Sequence, residues 1–137
     1  MTYLLDTNVV SQTSKLHPDV AVMRWWQQQD ELSLMLSTIV FQEARFGIEM
    51  LSAGRKRDRL EEWLEIRLRR EFGGRILPVT VEIAELSGRL MAATKKVAHT
   101  AEPADALIAA TALVHGLKIA TLNRDHFERL GVELVEF

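Results

Sequence analysis

The sequence predicts an α/β fold in which a mostly parallel sheet is flanked by helices. Three observations carry this expectation. Short apolar runs alternate with longer segments of helical periodicity, the pattern of βαβ units. The 137 residues fit one domain, 1–137, with no internal repeat, low-complexity stretch or linker to divide them. Hydrophobic residues make up 47% and charged residues 26%, which is ordinary globular usage and excludes a disordered or fibrous chain.

About five strands are expected, over residues 2–5, 33–36, 75–79, 118–121 and 133–135. A short helix is expected over 7–14, and Asp19 after Pro18 opens another through Ala21, Val22, Trp25 and Trp26. Thr38 begins a third, with Ile39, Phe41, Ile48 and Leu51 among its apolar positions, ending near Gly54. Residues 55–70 are highly charged, yet Leu60, Trp63, Leu64 and Leu68 recur at helical spacing and Gly73-Gly74 closes the segment. Thr80 is an N-cap candidate for a long helix whose Glu82 and Glu85 suit its positive end. Pro103 opens the last long helix, 104–115, which stops at Gly116. Its small residues, among them Ala106, Ala109, Ala110 and Ala112, permit close backbone approach and place it centrally, against the sheet. Trp25, Trp26 and Trp63 read as core or interface residues.

Composition excludes several functions. Without cysteine there is no disulfide scaffold, thiolate zinc site or cysteine nucleophile. The apolar run Tyr3-Leu4-Leu5 stops at Asp6, and no stretch approaches the roughly 20 apolar residues of a membrane span, so a cytoplasmic protein is expected. Seventeen Lys and Arg against 19 Asp and Glu give a net charge of −2. That balance argues against holding nucleic acid by bulk charge.

Three acids stand in unusual places. Asp6 ends the first strand, where ligands of open parallel sheets bind, although capping the next helix is the favoured explanation for Asp6 taken alone. Glu43 has Ile39, Val40, Phe46 and Gly47 as its helical neighbours, an apolar face where an unpaired charge costs several kcal/mol, on the order of an ion's desolvation penalty. Taken alone, an arginine partner and a metal account for it equally well, whereas Glu49 is explained by Arg45 one turn back. Asp105 lies in the first turn of the Ala-rich helix, where it would compensate the helix dipole, but Glu102 could do so at lower desolvation cost. Asn123 and Asp125 follow another strand, where turn chemistry explains both. Each local explanation is adequate, but none explains why acids far apart in sequence all fall at strand ends or on apolar helix faces. Clustered carboxylates raise one another's pKa unless a cation neutralises them, and a hard divalent ion is the natural cation.

Tyr3-Leu4-Leu5-Asp6-Thr7-Asn8-Val9-Val10-Ser11, then Leu36-Ser37 leading to Glu43 and Gly47, then Asp105-Ala106-Leu107-Ile108-Ala109-Ala110-Thr111-Ala112, then Ala120-Thr121-Leu122-Asn123 and Phe127 resemble a PIN domain. The similarity is closest to VapC/FitB-type toxins of bacterial toxin–antitoxin pairs. Any one block is weak, but four in order across the chain are specific. The resemblance implies an α/β/α sandwich and a ribonuclease that uses Mg²⁺ or Mn²⁺. Asp6, Glu43 and Asp105 fall on the three central acids expected to hold the metal, and Asn123 on a fourth catalytic position that is often Asp. Thr7 and Asn8 fall on positions that support the first acid, and Thr121 on the hydroxyl opening the last block. Where members often carry Asp before the block's Phe, this chain has His126, with the acid one place earlier at Asp125; Val40 replaces a common Thr or Ser. His126, beside the site, reads first as a surface loop residue, with a proton donor as the alternative. A cognate antitoxin, a homodimer, contact with DNA only through the antitoxin and a bacterial cytoplasmic location are also implied.

A divalent ion held by the three acids would position a water for in-line attack on an RNA phosphodiester. Residues 54–75 carry eight bases against five acids, mostly a solvated face, with Arg55, Lys56, Arg69 and Arg70 as candidates for gripping RNA. One bound divalent ion would bring the formal charge to 0 and two to +2, so the acidic balance does not exclude RNA. The alternative is a PIN-like binding module without turnover, acting with an antitoxin in a DNA-binding autorepressor complex. An aspartyl phosphatase is disfavoured because Asp6-Thr7-Asn8 lacks a second acid two residues on.

Overall fold

The apolar runs become four parallel strands in the computed structural model, which describes residues 1–137: β1 (Tyr3–Leu5), β2 (Leu34–Ser37), β3 (Ile76–Leu77) and β4 (Lys118–Ala120). Their order is β3-β2-β1-β4. Tyr3 lies opposite Leu34 of β2, and Leu5 lies opposite Ala120 of β4. Successive side chains point to opposite faces of a strand, and the sheet therefore divides two cores. Leu5, Leu34, Leu36 and Ala120 pack with Val9, Val22, Trp25, Trp63 and Phe72 on one face. Leu4 and Ile119 pack with Ile108, Ala109, Ala112 and Phe127 on the other.

The helices are α1 (Thr7–Val10), continued by a 3₁₀ turn at Ser11–Ser14, then α2 (Val20–Gln27), α3 (Thr38–Glu49), α4 (Arg55–Glu62), α5 (Leu68–Phe72), α6 (Val81–Lys96), α7 (Pro103–His115) and α8 (Arg124–Phe127). Local chemistry sets their ends. The Asp19 carboxylate accepts from the Val22 N–H at 3.0 Å, and the Thr80 hydroxyl accepts from the Ile83 N–H at 3.2 Å. Gly116 ends α7 in the left-handed region at φ 67°, which glycine adopts without a Cβ penalty. The small residues of α7 are buried, as a central helix requires. No helix is long and apolar enough to cross a membrane.

Four expectations need correction. The run 133–135 is not a fifth strand; it contributes one parallel bridge, Ile119 to Leu134, before the chain ends against Trp25 through Phe137. Pro78, which cannot donate to a ladder, directly follows the two residues of β3 and ends that strand short of 79. α3 stops at Glu49, capped by the Met50 N–H, rather than near Gly54. The helix expected over 55–70 is interrupted by a π-helical segment, Trp63–Arg67. That extra residue in the turn keeps Trp63, Leu64, Leu68 and Phe72 all facing the core while Arg67 and Glu71 stay in solvent.

The sheet order creates the crevice. β1 leads to β2 and β3 on one side, and the chain returns through α6 and α7 to lay β4 on the other. The carboxyl ends of β1 and β4 thus flank the point where the strand order reverses, the usual ligand position of an open α/β sheet.

Candidate active site

Asp6 follows β1 directly and is 5% exposed. Both of its oxygens are held: Oδ1 accepts from the Thr7 N–H at 2.8 Å and Oδ2 from the Thr121 hydroxyl at 2.7 Å. Thr121 sits opposite because Leu5 and Ala120 are in register. The same hydroxyl accepts from the Asn123 N–H at 2.9 Å, and Asn8 Nδ2 lies 3.5 Å from it. Asn8 Oδ1 accepts from the Leu122 N–H at 3.0 Å, so Asn8 ties the segment after β4 to α1.

Glu43 enters from α3. Its Oε1 accepts from the Thr7 hydroxyl at 2.6 Å, so Thr7 touches two acids, one through its backbone and one through its side chain. The surroundings of Glu43 are only half apolar, a further correction: Ile39 and Val40 are buried, but Phe46 is 69% exposed. No arginine pairs with it. Arg45 pairs with Glu65 at 2.8 Å, and Glu49 pairs with Arg57, not with Arg45 as the helical spacing suggests. Asp105 enters from the first turn of α7, and its Oδ2 meets Nδ1 of His126, from α8, at 3.0 Å.

All three acids hold their protons above the ordinary carboxylate range. For Asp6 the main cause is burial, offset in part by the Thr121 and Thr7 hydrogen bonds and reinforced by Asp105. Burial also dominates at Glu43, countered by Thr7 and reinforced by Asp6. At Asp105 burial outweighs the lowering influence of His126, and Glu43 and Glu102 add to it. The three carboxylates therefore sense one another, as like charges in one place do.

The carboxylates do not stand as a ready-made three-ligand cluster. Their chemistry nevertheless suits a hard divalent cation. The donors are all oxygen, no lysine or arginine neutralises any of them, and Glu43 Oε2 and Asp105 Oδ1 are free of hydrogen bonds. Ionised together without a cation, they would repel.

Among the other residues singled out from the sequence, Asn123 stands beside the site through its backbone, while its side chain is exposed and caps nothing. Asp125 is exposed and lines a cavity together with Asp105 and His126. Arg55, Lys56, Arg69 and Arg70 are exposed and form no ion pairs; Lys56 lines a groove of about 550 Å³ that reaches Thr7, and the Arg69 guanidinium lies 5.8 Å from the Phe41 ring. Trp25 and Trp63 are buried, with Trp63 Nε1 donating to the Thr13 hydroxyl at 2.9 Å; Trp26 packs edge-on against Phe72. The expectation for His126 missed its contact with Asp105. The two are 21 residues apart on different helices, and no local signal joins them.

Residues 3–133 match the PIN domain family. The chain is 36% identical over 132 residues to the VapC ribonuclease Y4jK of Sinorhizobium fredii, covering 96% of this chain and 94% of that protein. It is 35% identical over 124 residues to Toxin FitB of Neisseria gonorrhoeae, covering 90% and 89%. Among solved structures it is similar to the FitAcB crystal structure from Neisseria gonorrhoeae, with a TM-score of 0.89, 32% identity and coverage of 98% and 97%. A structure of FitAB bound to an IR36 DNA fragment gives a TM-score of 0.88 at 31% identity, covering 98% and 94%.

Proposed function

Since this chain belongs to the PIN domain family, in its VapC and FitB toxin group, we propose that it is a divalent-metal-dependent endoribonuclease and the toxin of a toxin–antitoxin pair. One observation carries the reading: acids from three separate elements meet at the reversal point of the sheet, each fixed by a hydrogen bond and none matched by a lysine or arginine.

Asp6, Glu43 and Asp105 are the residues that would hold Mg²⁺ or Mn²⁺. Such an ion, when bound, activates a water and offsets charge on the phosphoryl oxygens during in-line displacement. The chain does the positioning. Thr7 and Thr121 leave Asp6 a single orientation, Thr7 restrains Glu43, and His126 restrains Asp105, so little reorganisation is left for the moment of reaction. Without a cation the three acids repel an RNA phosphate, which couples substrate binding to metal binding. Asn123 contributes a backbone donor that keeps Thr121 in place. Arg55, Lys56, Arg69 and Arg70 supply exposed positive charge for the RNA backbone. The partner is an antitoxin protein, a reading supported by the relatives solved as FitAB complexes, and DNA is reached through that partner.

The test is cleavage of cellular RNA by the purified, antitoxin-free chain with Mg²⁺ or Mn²⁺ against an EDTA control. Cleavage is expected only with the divalent ion, and Asp6→Asn and Asp105→Asn should each abolish it while remaining folded. Unchanged cleavage in both variants overturns the site. No cleavage under any metal condition leaves the binding-module reading in its place.

A further inference from the structure

A second depression adjoins the acid site. A cavity of about 260 Å³ opens between α8 and the segment after α6, and it shares Asp105 and His126 with the site. Glu102, Asp125 and Arg129 supply its other charged groups, and Ala101 and Leu130 its apolar ones. Glu102, Asp125 and Arg129 make no side-chain hydrogen bond or ion pair within the chain, so three groups of opposite charge face one space unspent.

The wall is built rather than loose. Thr94, 5% exposed, donates to the Met91 carbonyl at 3.0 Å and accepts from the Ala101 N–H at 2.9 Å. The His99 N–H bonds to the Thr94 carbonyl at 2.9 Å, and Ala98 takes a φ of 65°, a region that residues other than glycine seldom occupy. One buried threonine thus pins the segment that closes the cavity.

The lining selects its occupant. Three carboxylates against one guanidinium repel a phosphate, and a wall that mixes polar and apolar surface about equally, with Ala101 and Leu130 beside the charged groups, suits a heterocycle better than a purely aliphatic group. A flat neutral molecule that offers acceptors to an arginine and donors to a carboxylate suits it. Guanine has both, side by side: O6 and N7 match the guanidinium fork, and N1–H with the N2 amino group matches a carboxylate. Adenine lacks the N1–H, and neither pyrimidine carries an adjacent pair of each kind.

We propose that this cavity seats a guanine base of the RNA, in a nucleotide beside the scissile phosphodiester. The proposal rests on the ribonuclease reading, and two measurements separate their fates. In the first, NMR shifts of the labelled chain are followed on titration with guanosine or adenosine in Mg²⁺ buffer. Guanosine should move the amides of residues 99–102 and 125–130 and bind about tenfold more tightly than adenosine, the scale of one bidentate pair. Arg129→Ala should remove that preference; Arg129 is exposed and unpaired, so the variant keeps the fold. Equal response to both nucleosides, or none, overturns the proposal. In the second, an RNA pool with random sequence is cut in Mn²⁺ and the bases flanking each cut are read. Guanine should be enriched at one flanking position with the wild-type chain and not with Arg129→Ala, which still cuts. Cutting without base preference overturns the cavity's role and leaves the ribonuclease standing. Guanosine preference without any cutting supports the guanine site and overturns the ribonuclease.

Discussion

Replacing Thr121 by valine removes one hydroxyl and leaves the shape of the side chain almost unchanged. Thr121 is 1% exposed, and its hydroxyl donates to Asp6 Oδ2 at 2.7 Å and accepts from the Asn123 N–H at 2.9 Å. A hydrogen bond to a charged group contributes about 1.5–3 kcal/mol and a neutral one about 1 kcal/mol. Asn8 Nδ2, at 3.5 Å, adds little. With Asp6 too buried for water to replace the lost donor, the variant should lose about 3 kcal/mol at neutral pH. For a chain of this size that lowers Tm by roughly 10 °C. The loss must also depend on pH. In the wild type the Thr121 hydrogen bond lowers the pKa of Asp6 against the burial that raises it. The stabilisation it supplies is present where Asp6 is ionised and disappears as pH falls through the folded-state pKa of Asp6, because a protonated carboxyl gains little from an added donor. The assay is urea unfolding of both proteins, followed by circular dichroism, at pH 7.5 and at successively lower pH. A difference below about 1 kcal/mol at pH 7.5, or one that does not shrink on acidification, refutes the reasoning. Thr121→Ser should keep most of the stability.

The same linkage runs in the opposite sense at Glu43. Its folded-state pKa is raised above the ordinary value, so the ionised form costs stability once pH exceeds that folded pKa, and the cost vanishes below the unfolded value. Glu43→Gln keeps an acceptor for the Thr7 hydroxyl; in EDTA it should raise Tm at pH 7.5 and leave it unchanged at the acid end, while RNA cleavage is lost. A gain that persists at low pH would count against burial of the charge as its origin. On the proposed metal site, divalent ions would bind the folded acids and not the unfolded chain. Mg²⁺ or Mn²⁺ at a hundred times its Kd should therefore stabilise the wild type by about 2.7 kcal/mol. EDTA should reverse this, and Asp105→Asn should largely lack it in thermal melts.

Much of the fold was legible because its signals are local. Asp19, Thr80, Pro103 and Gly116 mark helix ends by chemistry within four residues of themselves, and all four ends lie where expected. The misjudged features depend on partners far along the chain. Residues 133–135 are extended but pair with the sheet only through Ile119, the π-helical turn at 63–67 exists to keep Leu68 and Phe72 on the core, and Arg45 and Arg57 choose acids on other turns and helices.

The site divides in the same way. Asp6, Glu43 and Asp105 could be singled out from sequence because each breaks the pattern around it: a charge at the end of an apolar strand, or within a helix where apolar neighbours were expected. The family resemblance pointed to Thr7, Asn8 and Thr121 as supporting residues, but the contacts of Glu43 and Asp105 and the geometry of all three acids were a matter for the tertiary structure. The β3-β2-β1-β4 order sets Thr121 against Asp6, the turn into α1 lets Thr7 reach both Asp6 and Glu43, and the packing of α8 beside α7 gives Asp105 its histidine. Residue type and short-range spacing determine which side chains are out of place for a core. Only the crossing of the chain from β3 back to β4 decides that they meet, since electrostatic and hydrogen-bonding energies depend on distances in space that sequence separation does not encode.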